Sequence, residues 1–182
     1  MKLNIIGASV VSALLFSAAA SAADPVIVNG GNVHFTGELV NAACAVSTES
    51  SNQTVELGQY RTAKLAAAGD MTTPVPFKIK LVDCDPTVSA TAAVAFAGQS
   101  MDGDATLLAV NSGTNAPAAQ NVGIQISDST SAILSPNGSK FSAAKTLNEG
   151  TNVLDFSARY VAKGVSTPGQ ANADATFVVK YE

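Results

Sequence analysis

The chain has 182 residues, of which 10 are basic and 14 are acidic, and its formal net charge is −4 at pH 7. This balance argues against a nucleic-acid or anionic-membrane partner. Only 13% of the residues are charged and tryptophan is absent, a composition more typical of a rigid extracellular β protein than of a cytosolic enzyme.

The first 22 residues have the pattern of a secretory signal peptide. Lys2 precedes an apolar run from Ile5 to Phe16, and small residues ending in Ala22 follow. The apolar run is shorter than the roughly 20 residues that a membrane helix needs. We therefore predict a signal peptide over 1–22, with cleavage before Ala23, and a mature chain long enough for one domain with its own core.

Residues 33–41 read VHFTGELVN, and every second residue from Val33 to Leu39 is apolar or small. The first three residues between them are polar: His34, Thr36 and Glu38. Alternate side chains of an extended strand point to opposite faces. Burial of Phe35 and Leu39 would stabilise the protein by about 1.5–3 kcal/mol each. The stretch therefore predicts a strand whose apolar face needs a partner surface, on this chain or on another.

The two cysteines, Cys44 and Cys84, lie in a chain predicted to be exported. A redox pair would usually have the spacing C-x-x-C, and a structural zinc site would need about four ligands with only His34 to help. A disulfide is the better interpretation in an oxidising compartment. It would close a ring of about 41 residues and stabilise the fold by about 4 kcal/mol in the chain-entropy model.

After Cys44 the pattern predicts short strands separated by turn residues. These strands are expected at 54–60, 77–82, 92–98, 107–110, 122–126, 152–163 and 175–182. Residues 62–68 form the one credible helical turn, with Thr62 as a candidate N-cap and Gly69 as its end. About six of these seven stretches count as main strands, so the chain is one short of a seven-stranded immunoglobulin-like sandwich, and a missing last strand would leave a groove.

Catalytic groups are scarce in this sequence. Any Ser-His-Asp or Cys-His arrangement would depend on His34, which lies on the polar side of an alternating stretch. The Asp102-Gly103-Asp104 turn lacks the remaining acidic ligands of a calcium loop, and no phosphate-binding glycine loop is present. We therefore expect no enzymatic activity, no cofactor and no metal site.

Four features together resemble the major pilins of the chaperone–usher class, of the type 1 fimbrial shaft kind. They are the VNGGNVHFTGELVNAAC stretch (Val28–Cys44), the LVDCD segment with Cys84, the TPGQANADATF segment (Thr167–Phe177), and the chain end. At that end Gly169 is fourteenth from the C-terminus and Tyr181 is penultimate. The resemblance covers essentially the whole mature chain.

The resemblance implies an all-β fold: an incomplete immunoglobulin-like sandwich over 44–182 that lacks its last (G) strand, preceded by a donor-strand extension over 23–43. It also implies a structural subunit that polymerises by donor-strand exchange into the shaft of an adhesive surface fimbria. The implied donor-strand residues are Val33, Phe35, Gly37, Leu39 and Asn41. The implied residues of the strand that pairs with the chaperone and lines the acceptor groove are Gly169, Phe177, Val179 and Tyr181.

The partners implied by the resemblance are identical pilin subunits, a periplasmic pilus chaperone, an outer-membrane usher and a tip adaptor subunit, with no nucleic acid. The implied location is a fimbrium on the bacterial surface, reached through the periplasm. A minor or adaptor subunit that links the shaft to a tip adhesin is the alternative interpretation. A tip adhesin itself would add an N-terminal lectin domain and lack the donor extension.

Overall fold

The computed structural model describes residues 25–112 and 116–182, so the predicted signal peptide lies outside the described residues. The chain divides into a unit that ends at Glu38 and a unit that runs from Leu39 to Glu182. In the first unit the described residues form no helix and no strand. The predicted strand at 33–41 is therefore without a β partner in the described chain.

In the described part of the second unit, the regular secondary structure is almost entirely β. The strands are β1 (Ala45–Val46), β2 (Val75–Cys84), β3 (Thr91–Gly98), β4 (Ser100–Met101), β5 (Asp104–Ala109), β6 (Val122–Asp128), β7 (Ile133–Leu134), β8 (Lys145–Thr146), β9 (Gly150–Ala162) and β10 (Ala175–Tyr181). The helical segments are the α-helix α1 (Thr48–Ser51) and a 3-10 helix (Thr62–Lys64).

The strands form two antiparallel sheets, which confirms the predicted all-β sandwich. One sheet has seven strands in the order β1-β2-β9-β6-β5-β4, with β7 paired to β6. The other has three strands in the order β10-β3-β8. The longest ladder joins β2 to β9, from Val75 opposite Ala158 to Cys84 opposite Gly150.

Phenylalanine rings join the two sheets at the centre of the core. The ring of Phe96 in β3 lies 5.9 Å from that of Phe77 in β2 and 5.2 Å from that of Phe156 in β9. These edge-on arrangements are the ones that aromatic pairs prefer. The largest fully buried side chains are Ile79, Leu81, Leu107, Leu134, Val94 and Pro136.

The predicted disulfide between Cys44 and Cys84 is present, with Cα atoms 4.2 Å apart. It ties the residue immediately before β1 to the last residue of β2. Both cysteines are buried, with 3% of each exposed. Because β1 has only two residues of its own, the covalent bond holds the start of the domain in place.

Two local predictions need correction. The first concerns Thr54–Tyr60, which forms no strand, although Val55 and Leu57 are partly buried. Alternation shows which side chains face the core, but it does not show whether a neighbouring backbone is available for pairing.

The second concerns the helical turn, which is shorter than predicted and has Arg61 rather than Thr62 as its N-cap. It ends early because the Asp70 carboxylate accepts the next amides, Ala66 N–H and Ala67 N–H, at 2.9 and 2.8 Å.

Candidate functional site

One side of the sandwich ends in two strands that, among the described residues, each pair with only one other strand. β1 is the edge of the seven-stranded sheet and β10 is the edge of the three-stranded sheet. The Tyr181 hydroxyl donates a hydrogen bond of 3.1 Å to the carbonyl of Cys44, the residue before β1. The two edge strands therefore lie on the same side of the domain, and we call this pair, β1 and β10, the open edge.

The backbone of β10 presents unpaired polar groups along the open edge. Thr91 and Glu182 exchange two backbone hydrogen bonds, of 2.9 and 3.1 Å. In an antiparallel ladder such pairs alternate with pairs whose amide and carbonyl groups point away from the neighbouring strand. By this alternation, the N–H and C=O groups of four β10 residues point away from β3. These residues are Ala175, Phe177, Val179 and Tyr181.

The inward side chains of β10 are also incompletely covered. Phe177, Val179 and Tyr181 are only partly buried, whereas Val94 and Phe96 on the adjoining strand β3 are 0% and 4% exposed. Other apolar side chains that are partly buried against the same core are Val46, Leu57, Phe77, Val110, Ala171 and Ala173. An additional strand beside β10 would bury apolar surface and pair the free backbone groups at the same time.

Two tyrosine hydroxyls join the β10 side of the domain to the seven-stranded sheet. Tyr181 at the end of β10 bonds to Cys44, and Tyr160 in β9 donates 2.9 Å to the carbonyl of Ala171, which precedes β10. Burial raises the pKa of both phenols, and for Tyr160 the nearby Tyr60 and Glu56 add to the rise in pKa. Both hydroxyls therefore remain protonated donors at neutral pH.

Sequence patterns missed Tyr160 as a site residue. The sequence predicted a strand at 152–163 that contains Tyr160, but periodicity carries no information about which carbonyl lies within reach of the Tyr160 hydroxyl. The usable signal is chemical: a tyrosine on a buried face needs a partner for its O–H group.

The structure separates the residues predicted for the site. Phe177, Val179 and Tyr181 lie together along the open edge, but Gly169 lies outside β10, which corrects its grouping with that strand. A Cβ at Gly169 would approach the backbone amide nitrogen of Ala119 to 2.5 Å. This glycine is required by the close approach of its backbone to residues 117–119, where Gln170 and Ala118 form an isolated β-bridge.

The predicted donor-strand residues are exposed. Val33 is 76% exposed, Phe35 87% and Leu39 102%. Asn41 is also exposed, and a Cβ placed on Gly37 would have no atom within 4 Å. The stretch that the sequence marks as amphipathic is therefore available for pairing with another molecule.

Gly169→Ala is expected to destabilise the domain by about 1–3 kcal/mol, because the new methyl group meets backbone atoms that cannot move independently. Gly164→Ala is the matched control, since its nearest contact would be an ordinary 3.6 Å to a side-chain atom of Asn121. Urea unfolding of both variants measures the difference. Equal midpoints would contradict the close packing of the loop at 117–119 against Gly169.

Chemically, the arrangement suits recognition of an extended segment. In the described part of the chain no group of three or more His, Cys, Asp or Glu side chains is placed to hold a metal ion. Within the same residues no helix is long and apolar enough to cross a membrane. The open edge offers what strand addition uses: free main-chain groups for affinity and alternating apolar contacts for specificity.

Comparison with known proteins gives consistent matches across the chain. A family model described as fimbrial protein matches residues 33–182. The type-1 fimbrial protein A chain of Salmonella typhi is 56% identical over the whole of both chains. That of Escherichia coli K12 is 52% identical, also over the whole of both.

Solved structures agree with the sequence relatives. A chain from a chaperone–usher pilus matches with a TM-score of 0.71 and 29% identity, covering 87% of this chain and 99% of that one. The P pilus rod subunit PapA matches with a TM-score of 0.65 and 27% identity, covering 78% of this chain and 100% of PapA. The family match begins at Val33, the first residue of the alternating stretch.

Proposed function

This chain belongs to the fimbrial protein family, and we propose that it is a structural, non-enzymatic subunit of a fimbrial shaft that joins identical copies by donor-strand exchange. Its sandwich is the incomplete immunoglobulin-like fold of chaperone–usher pilins. The observation that carries the proposal is that one chain holds both an open edge and an exposed alternating stretch, Val33 to Asn41.

The two features complement each other in length and chemistry. β10 has seven residues, and the stretch from residue 33 to 41 is long enough to run along all of them. Insertion would bury Phe35 and Leu39, each worth about 1.5–3 kcal/mol. It would also pair the outward amide and carbonyl groups of β10, each of which costs free energy if it is buried without a partner.

The same open edge supports a role for assembly factors. An uncovered edge strand with partly buried apolar residues is a template for non-specific pairing and aggregation. A periplasmic chaperone that covers β10 until an outer-membrane usher brings the next subunit would prevent this. In the proposed order, the donor strand then replaces the chaperone strand, and a tip adaptor subunit takes the place of an identical copy at one end of the shaft.

Amide hydrogen exchange tests the open edge directly. In the isolated subunit the N–H groups of Phe177, Val179 and Tyr181 should exchange rapidly. The N–H groups of Val178 and Lys180, which face β3, should be protected. Adding a peptide that spans Val28–Val40 should slow exchange at the first three residues by orders of magnitude and leave the other two protected.

The alternating residues of β10 thus provide an internal control for that measurement. Protection that rises equally at all five amides would indicate general stabilisation rather than strand addition. No change at Phe177, Val179 and Tyr181 would refute donor pairing at β10. Electron microscopy of cells lacking this chain addresses the shaft role itself: absent shafts support it, normal shafts refute it, and shortened or tipless fibres indicate a minor or adaptor subunit.

A further inference from the structure

We propose that the hydroxyl groups of Tyr160 and Tyr181 are two clasps that fix β10 and the segment before it to the seven-stranded side of the domain, and so set the rate of donor-strand insertion. This role rests on the function proposed above and assigns specific residues to the step that precedes pairing. One hydrogen bond is made by the segment that precedes β10 and the other by the last residue of β10. Ala171, the acceptor of Tyr160, precedes the strand, and Tyr181 is its last residue.

Each clasp joins elements that no β ladder connects. Tyr160 belongs to β9 in the seven-stranded sheet, and its acceptor Ala171 lies on the segment that leads into β10. Tyr181 belongs to the three-stranded sheet, and its acceptor Cys44 immediately precedes β1. The two bonds run in opposite directions between the layers, so together they restrict movement of the β10 side relative to the seven-stranded sheet.

Both clasps are supported by rigid neighbours. Cys44 is fixed to Cys84 by the disulfide, so the carbonyl that Tyr181 reaches is held in position. The ring of Tyr160 packs edge-on against Tyr60, with centroids 6.1 Å apart at 80°. A hydrogen bond between positioned groups costs less entropy to form than one between mobile groups, which suits these two hydroxyls to hold an otherwise unpaired edge.

The clasps should matter more before insertion than after it. In the empty subunit β10 pairs only with β3 among the described strands. The position of its unpaired edge therefore depends on side-chain contacts. Once a donor strand is inserted, its backbone ladder fixes β10 along the whole length. Loss of a hydroxyl should therefore lower the fraction of empty subunits that are ready to accept a strand, and should have little effect on the filled subunit.

The test uses the full mature subunit and a fluorescent peptide spanning Val28–Val40. Uptake rates are measured for wild type, Tyr160→Phe, Tyr181→Phe and the double variant, together with the unfolding rate of each peptide-filled form. Loss of one neutral hydrogen bond should slow uptake by about fivefold. The double variant should be slowed by about the product of the two effects, and unfolding of the filled forms should stay within about twofold of wild type.

Tyr60→Phe is the matched control, because the Tyr60 hydroxyl makes no hydrogen bond to the described residues. Uptake by this control should equal that of wild type. Unchanged uptake in Tyr160→Phe and Tyr181→Phe, or equal slowing in all three variants, overturns the clasp role. Faster unfolding of the filled forms with normal uptake shows a structural role only. Failure of the wild-type subunit to take up any peptide refutes donor-strand exchange itself.

Discussion

Cells whose only copy of this subunit carries Phe35→Asp are expected to assemble no shaft, although the variant domain still folds and accepts a wild-type donor peptide. Phe35 is 87% exposed in the chain, so the substitution removes little buried apolar surface. In the proposed fibre it would place a carboxylate in an apolar groove, at a cost of several kcal/mol unless the group is neutralised.

The adjacent position supplies a matched control for this prediction. Thr36→Asp introduces the same charge on the opposite face of the alternating stretch, where it stays in water, so shafts should form. Gly37→Leu should behave like Phe35→Asp, because a bulky side chain would prevent close approach of the two backbones. Electron microscopy counts the shafts. If the Phe35→Asp subunit fails to take up donor peptide, the extension is part of its own fold and the donor role is wrong.

Replacing both cysteines by serine is expected to produce the largest loss of folded subunit. Ring closure between Cys44 and Cys84, with a sequence separation of 40, contributes about 4 kcal/mol in the chain-entropy model. That is a large share of the 5–15 kcal/mol typical of a domain, and an incomplete sandwich has less stability to lose. The yield of exported subunit and its urea midpoint should both fall sharply.

Changing both cysteines together avoids a lone thiol that could form mixed disulfides. Wild-type subunit treated with reductant should show the same lowered urea midpoint as the double variant, which separates loss of the bond from any effect of the serines. Non-reducing mass spectrometry of assembled fibres provides the independent check. Two free thiols in those fibres would contradict a structural role for the bond.

The sequence was a good guide wherever a strand has one apolar face and a partner strand beside it. The alternation of Val122, Ile124 and Ile126 predicted β6, and all three are buried. The same reasoning found β9 and β10. Periodicity succeeds for β6 because its apolar side chains share one face, while Gly123 and Gln125 lie on the other.

The sequence was a poor guide to backbone pairing. Thr54–Tyr60 and Val33–Asn41 both alternate, yet neither forms a strand in the described chain, because pairing depends on a neighbouring backbone that the local pattern does not report. Gly169 showed the same limitation, since its close contact with the loop at 117–119 lies some 50 positions away in sequence. The clasp acceptors, Cys44 and Ala171, are likewise main-chain carbonyls that side-chain patterns do not reveal.

The position of the disulfide has a mechanical consequence for a fibre built in this way. The alternating stretch ends just before Cys44, so tension along the fibre enters each domain at that residue. β1 alone could resist little, because it pairs with β2 through only Ala45 and Val46. The Cys44–Cys84 bond instead transfers the load to the end of β2, whose ladder with β9 runs back to Val75. A pulled subunit therefore loads the hydrogen bond from Asp85 N–H to the Ala43 carbonyl and then the covalent bond, before the β1–β2 ladder has to carry the force.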